Sequence, residues 1–231
     1  MNLFATLLSN DWQPLLLSFE LAGLTSLILF FIGVPLAYVL AFSTSRFKPV
    51  WEALVSMPIV LPPSVLGFYL LLAFRPQSGF GLWLVQTFDL RLAFSFTGIV
   101  IGSVIFSLPF MVQPIQAGLQ ALPRSLSEVA YTLGQSPTRT LFRVLLPNIK
   151  ASLFTGAVLC FAHTLGEFGV VLMIGGNIPG VTRVASIAIY DEVESLHYAA
   201  AHFYSLVLMG LSFVILLSVY WLKFRHQRAE L

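Results

Sequence analysis

Four stretches of this chain run for more than 20 residues without a charged side chain: 21–45 (25 residues), 53–74 (22), 92–123 (32) and 195–222 (28). A helix needs about 20 mostly apolar residues to cross a bilayer, and a charge at its centre costs about 3 kcal/mol or more. The runs therefore constrain the chain to cross a membrane as α-helices. A fifth run, 151–166, meets Glu167 and resumes over 168–182. It reads as one more span, with a carboxylate near one end and a stop at Gly175-Gly176-Asn177. Composition agrees: 58% of residues are apolar and 10% charged, where a soluble domain carries about 25% charged residues. The net charge of +2 excludes a nucleic-acid-binding face or an acidic tail. Cys160 is the one cysteine, so no internal disulfide and no zinc-type Cys/His spacing exists.

Five spans put the two termini on opposite sides. The first basic residue is Arg46, so the segment before it lacks the positive region of a signal peptide, and the first span is expected to be retained. With the N-terminus outside, the inner segments hold Arg46, Lys48, Arg124, Arg139, Arg143, Lys150, Lys223, Arg225 and Arg228, leaving Arg75, Arg91 and Arg183 outside. Nine against three follows the positive-inside rule, and places the C-terminus in the cytoplasm. The second span contains Pro58, Pro62 and Pro63, which remove backbone donors and clash with the preceding turn, so it is expected to be kinked or interrupted. Pro35, Pro109 and Pro114 are expected to act similarly. Broken backbone of this kind is either tolerated irregularity or the lining of a wet pathway.

The long inner segment before the fourth span reads as an amphipathic helical hairpin. Ser125 with Glu128 three residues on has capping-box spacing. Leu126, Val129, Ala130 and Leu133 share a face, and Gly134 stands where a left-handed C-terminal cap is wanted. Ser136-Pro137 restarts a helix, Leu141, Val144 and Leu145 continue the apolar stripe, and Pro147 ends it. Such a hairpin either lies in the headgroup layer, with Arg139, Arg143 and Lys150 against anionic lipid, or docks into a groove on a cytoplasmic partner.

Glu128-Val-Ala-Tyr-Thr-Leu-Gly134, nine residues, then Val144-Leu-Leu-Pro147 resembles the EAA motif of ABC importer permeases, with conservative departures at Val129 and Val144. Gly166-Glu167-Phe168-Gly169 and 177–183, with Ala188-Ile189-Tyr190, are similar to the oxyanion branch and most to its molybdate permease subunits; sulfate permeases share the Gly-Glu-Phe-Gly element. The resemblance implies an all-α integral membrane protein of the type I ABC importer permease fold. It is expected to form a single permease domain over 1–231, with five core transmembrane helices (roughly 13–43, 51–74, 93–118, 149–174 and 198–223), a cytoplasmic coupling-helix hairpin over 124–147 and an external gate-like segment over 175–194. It further implies a homodimer of permease subunits in the bacterial inner membrane, a cytoplasmic ABC ATPase dimer below, and a periplasmic or lipid-anchored molybdate-binding protein above. Glu128, Ala130, Gly134, Arg139, Arg143 and Pro147 are then the residues expected to dock the ATPase.

The residues support that division of labour. No glycine-rich phosphate loop ending in Gly-Lys-Ser/Thr occurs, so no cofactor is expected in this chain and ATP is expected to be used by the partner subunit. No Lys or Arg lies deep in a span, so the path is expected to hold the anion weakly. Gate or pathway candidates are Gly166, Glu167, Gly169, Asn177 and Arg183. A carboxylate facing an anion would repel it, which favours a structural or gating role for Glu167, with His163 four residues earlier as a partner or an ordinary interior contact. Arg183 either attracts the released anion, contacts the binding protein, or forms a plain surface salt bridge, with Asp191, Glu192 and Glu194 just beyond it. His197 and His202, five apart, have poor geometry for a shared metal. Molybdate, or tungstate, is the expected cargo and sulfate the nearest alternative. A secondary transporter without an ATPase is a more remote reading, and a membrane enzyme more remote still, since no nucleophile with its base is evident.

Overall fold

The structure, a computed structural model, describes residues 11–229. The expected exterior position of the N-terminus, and the side chains of Lys223, Arg225 and Arg228, lie outside the described residues. Within them the helices are α1 (Gln13–Phe42), α2 (Lys48–Val60), α3 (Pro63–Phe74), α4 (Gly79–Phe88), α5 (Phe96–Ala121), α6 (Arg124–Thr132), α7 (Pro137–Thr140), α8 (Leu146–Asn148), α9 (Lys150–Leu165), α10 (Gly169–Gly175), α11 (Ala185–Glu194) and α12 (Tyr198–Ala229). Three stretches, α1, α5 and Tyr198–Ser218 of α12, are long and apolar enough to cross a membrane unbroken.

The prolines act unequally. α1 continues through Pro35 and α5 through Pro109 and Pro114, because an isolated proline removes one donor that a long, well-packed helix can lose. Tandem Pro62-Pro63 stops its helix. A residue before proline is driven out of helical geometry, and both Leu61 (ψ 135°) and Pro62 (ψ 132°) precede one. α2 and α3 consequently meet at 108°. With 13 and 12 residues they reach about 20 and 18 Å at 1.5 Å per residue, short of the roughly 30 Å of hydrocarbon. The run over 151–182 is also interrupted, α9 ending at Leu165 and α10 starting at Gly169.

α5 is the central element, packed against α1, α2, α9 and α10. Lipid is as apolar as leucine, so helices in it associate by close packing of small residues rather than by hydrophobic exclusion. The fully buried Met111 of α5 shows this: a Cβ on Gly33 of α1 would lie 2.9 Å from its side chain, and one on Gly156 of α9 3.0 Å from its carbonyl oxygen. One buried cluster holds Leu29, Val34, Met111, Ile115, Leu119 and Cys160 together with Leu141, Leu145 and Ile149 of the segment after α6. A second joins Leu66 of α3, Ile99 and Phe106 of α5, Val170 and Ile174 of α10 and Ile187 of α11.

Two short helices lie outside the span pattern. α4 falls in a stretch with no helix expected; the Ser78 hydroxyl accepts from Gly81 N–H at 2.9 Å and starts it, and Asp89 in the left-handed region ends it. The sequence signal was a serine cap before the charge-free run Gly79–Phe88. α11 is seated against α1, where the buried Ser18 hydroxyl accepts from Ala185 N–H at 2.8 Å.

The close approach of α3 to α10 is testable. A Cβ at Gly67 would lie 2.7 Å from the Met173 Cβ and 3.1 Å from the Val170 backbone. Gly67→Val is expected to destabilise the chain by about 1–3 kcal/mol, whereas Gly23→Ala, with nothing within 4 Å, is expected to be neutral or to stabilise by about 0.5–1 kcal/mol. Thermal unfolding in detergent measures both.

Candidate functional site

Two features gather the residues singled out in the sequence: a rigid segment beyond the end of α5, and a pair of apposed helix breaks inside the bundle. The segment is built by local signals. Leu122 and Pro123 are extended, as the residue before a proline must be, and α6 starts at once at Arg124. This corrects the capping box: with α6 beginning at Arg124, Ser125 lies within the first turn and no side chain caps the helix. At the other end Gly134 has φ +75°, Gln135 N–H bonds the Ala130 carbonyl at 3.0 Å and Gly134 N–H the Tyr131 carbonyl at 2.9 Å. That pair of bonds is the Schellman closure, and the positive φ is what glycine supplies there.

Ser136 restarts the chain as the N-cap, its hydroxyl accepting from Arg139 N–H at 3.3 Å, with Pro137 in the first helical turn. The helix then widens into a π turn over Leu141–Leu145, where Leu146 N–H reaches back five residues to the Leu141 carbonyl. Pro147 explains this: it has no N–H for the Arg143 carbonyl, and its ring would strike that group in a regular helix. Pro147 does not itself stop the segment, since α8 runs to Asn148 and the break falls at Ile149 (φ −114°). The run Pro137–Asn148 then meets α9 at 83°.

The segment is anchored on one side and bare on the other. Ala130, Leu141, Leu145 and Ile149 are buried, while Leu133 is 72% exposed, Phe142 63% and Val129 56%. Leu126, Val129, Leu133, Arg143 and Val144 line a groove of about 410 Å³ between α6 and the π turn. Glu128, Gly134, Arg139 and Pro147 are exposed. A defined apolar groove with two arginines beside it suits a protein partner.

The second feature joins the two broken spans. Gly169, at the start of α10, lies against the start of α3: a Cβ there would be 2.8 Å from Pro63 Cβ and 3.4 Å from Ser64 N. The breaks at Leu61-Pro62 and at 166–168 therefore face each other. Glu167 sits in the second break, 4% exposed. Its backbone carbonyl accepts from the Ser186 hydroxyl of α11 at 2.6 Å. The Ser103 hydroxyl of α5 faces its carboxylate, though neither group completes a hydrogen bond of ordinary geometry among the described residues. Gly166 has room beside it, with nothing nearer than 3.9 Å to a Cβ.

His163 does not partner Glu167, because the helix ends at Leu165 and the i,i+4 relation is lost. Its Nδ1 instead meets the Ser107 hydroxyl at 2.9 Å, and its ring stacks on Phe110 at 3.9 Å. Ser107 also bonds Thr164 Oγ1 at 2.8 Å. This polar seam escaped the sequence reading; its signal was the spacing of Ser103 and Ser107 one turn apart in an apolar helix.

On the far side, Thr182 Oγ1 donates to the Gly175 carbonyl at 2.8 Å and shapes the turn in which Asn177 is exposed. Arg183, 19% exposed, is 2.7 Å from Asp191 and 3.2 Å from Glu192. The salt-bridge reading is met by this geometry: the charge of Arg183 is matched within α11. Among the described residues no group of three or more His, Cys, Asp or Glu could hold a metal ion.

These features define a class, an α-helical polytopic membrane protein with interrupted spans and a rigid amphipathic segment projecting from one end. The chain belongs to the family of binding-protein-dependent transport system inner membrane components, which matches residues 33–228. It is 45% identical to the molybdenum transport system permease protein ModB of Azotobacter vinelandii, over 91% of this chain and 93% of that protein. It is 34% identical to ModB of Escherichia coli K12, over 80% and 81%, and 32% identical to the sulfate transport system permease protein CysT of that strain, over 85% and 70%. Among solved structures it matches a bacterial ABC transporter that imports alginate, with a TM-score of 0.76 at 18% identity over 96% of this chain and 82% of that one. It also matches the inward-facing MetNI methionine ABC transporter, at 0.69 and 14% over 90% and 92%. The fold is that of the type I ABC importer permeases, and the chain is a multi-pass transport subunit of the inner membrane.

The bond from Ser186 to the Glu167 carbonyl ties α11 to the second break. Ser186→Ala is expected to cost about 1 kcal/mol and to speed hydrogen exchange in Ala185–Glu194 without changing α1, α5 or α12, as read by exchange mass spectrometry.

Proposed function

We propose that this chain is the permease subunit of an ATP-driven importer of molybdate, with tungstate as a close substitute. Two copies form the pathway, an ATPase dimer docks below and an external binding protein delivers the anion. The observation that carries the cargo assignment is the 45% identity to a molybdenum permease over nearly the full length of both chains, against 32% to a sulfate permease over 70% of it. Sulfate is the runner-up cargo.

In this reading the exposed face of α6 and the π turn is gripped by the ATPase, with Glu128, Ala130 and Gly134 shaping the knob, Arg139 and Arg143 adding charge, and Pro147 imposing the π turn. No ATP or other cofactor binds this chain. The knob faces the cytoplasm, the C-terminus lies on the same side and the N-terminus opposite, which follows from the nine-to-three distribution of basic residues. Alternating access opens and closes the backbone around Gly166, Glu167 and Gly169, while Asn177 and Arg183 belong to an external gate. The transported dianion meets no fixed cation within the spans, so the path conducts through hydrated backbone rather than a deep site.

Proteoliposomes holding this chain, its ATPase and its binding protein are expected to take up labelled molybdate when ATP is supplied, with sulfate a weak competitor. Preferential sulfate uptake overturns the cargo, and uptake driven by an ion gradient without ATP overturns the class. Gly134→Glu is expected to abolish ATP-driven uptake while leaving membrane insertion intact, because a side chain at φ +75° opposes the turn by about 1–2 kcal/mol and adds charge to the docking face. Wild-type uptake by that variant removes the knob from the mechanism.

A further inference from the structure

A second cavity, of about 470 Å³, opens where the apolar lengths of α1 and α5 end and where α2 and α6 begin. Its lining is mixed. Phe42, Leu119 and Leu122 are apolar, Ser43, Thr44, Ser127, Tyr38 and Tyr131 add neutral hydroxyls, and Lys48 and Arg124 bring two cations and Glu128 one carboxylate. Lys48 has a loose pair with Glu52 at 3.9 Å, and neither Arg124 nor Glu128 is in an ion pair among the described residues. The cavity stands at the boundary between hydrocarbon-length helices and the charged segments that follow them.

We propose that this cavity holds the headgroup of a phospholipid bearing a primary ammonium, phosphatidylethanolamine. Lys48 and Arg124 grip the phosphodiester, and Glu128 accepts an N–H from the ammonium. Basic pockets between helix ends at the membrane surface recognise lipid phosphates, and the guanidinium fork of Arg124 suits a phosphate's paired oxygens. Two further features select the occupant. The apolar part of the wall, Phe42, Leu119 and Leu122, matches the glycerol and upper acyl carbons of a lipid, which a small free dianion lacks. The lone carboxylate would oppose a purely anionic headgroup, and it pairs with a headgroup carrying both signs. A trimethylated ammonium has no N–H to offer Glu128. A bound headgroup ties the start of α6 to the end of α1, so the lipid becomes part of the seat of the projecting segment.

The test uses the full chain, purified with an equimolar mixture of phosphatidylethanolamine, phosphatidylglycerol and phosphatidylcholine, and native mass spectrometry to count retained lipids. Phosphatidylethanolamine is expected to be retained over the other two, and Lys48→Gln with Arg124→Gln to weaken it roughly thirtyfold. Equal retention of the three lipids, preference for phosphatidylglycerol, unchanged retention in the double variant, or displacement by excess inorganic phosphate overturns the proposal. A second measurement needs no variant: a photoreactive phosphatidylethanolamine is expected to label peptides covering 38–48 and 119–131. Labelling confined to other helices overturns the proposal as well.

Discussion

A helix in hydrocarbon gains little from covering another apolar surface, so whatever holds this bundle together must come from close contact. That contact centres on α5. Met111 is clasped between Gly33 of α1 and Gly156 of α9, and Gly102 leaves room for Ile174 of α10. Dispersion falls away within an ångström of optimal separation, so these glycines decide which helices can follow α5 and which can slip past it. The projecting segment is held by the same cluster, through Leu141, Leu145 and Ile149 packed with Ile115 and Leu119. The segment is thus packed directly on the last turns of α5, although the chain bends at Leu122-Pro123 and at Ile149 on either side of it.

The breaks obey a complementary constraint. Backbone groups freed at Leu61-Pro62 and at 166–168 cannot be left bare in lipid, and the fold turns the two towards each other, with Pro63 against Gly169. The Glu167 carbonyl is taken by Ser186 from outside. A helix outside the broken span, α11, thus supplies the hydrogen bond that a regular span would have made for itself.

Much of this was legible in the sequence for physical reasons. Charge-free runs report hydrocarbon directly, and Gly134 and Ser136-Pro137 are local signals whose cost or benefit is decided within a few residues. The misreadings share a different cause. Ser125 and Glu128 have capping-box spacing, yet Pro123 starts the helix too early for it, and the π turn before Pro147 lets the chain absorb a residue expected to end it. His163 and Glu167 are one turn apart in number but not in space, because the helix between them stops. In each case a neighbouring element moved a boundary by a few residues, and spacing rules hold only while the boundary stays put. The apposition of the two breaks, between residues more than 100 apart in sequence, has no local signal at all.

Where the chain keeps its cations bears on how it can handle an anion. Arg183, the basic residue between α10 and α11, spends its charge on Asp191 and Glu192, and the described spans contain no Lys or Arg at depth. Among the described residues of the spans, no buried Lys or Arg offers a dianion a strong electrostatic well. On the proposed reading this is a requirement rather than a deficiency, since a permease that bound its cargo tightly would retain it after the external partner had let go. Selection between molybdate and sulfate, two tetrahedral dianions of the same charge, then falls to a partner able to surround the anion with donors. On that same reading the permease contributes timing, through the two facing breaks and the segments packed against them.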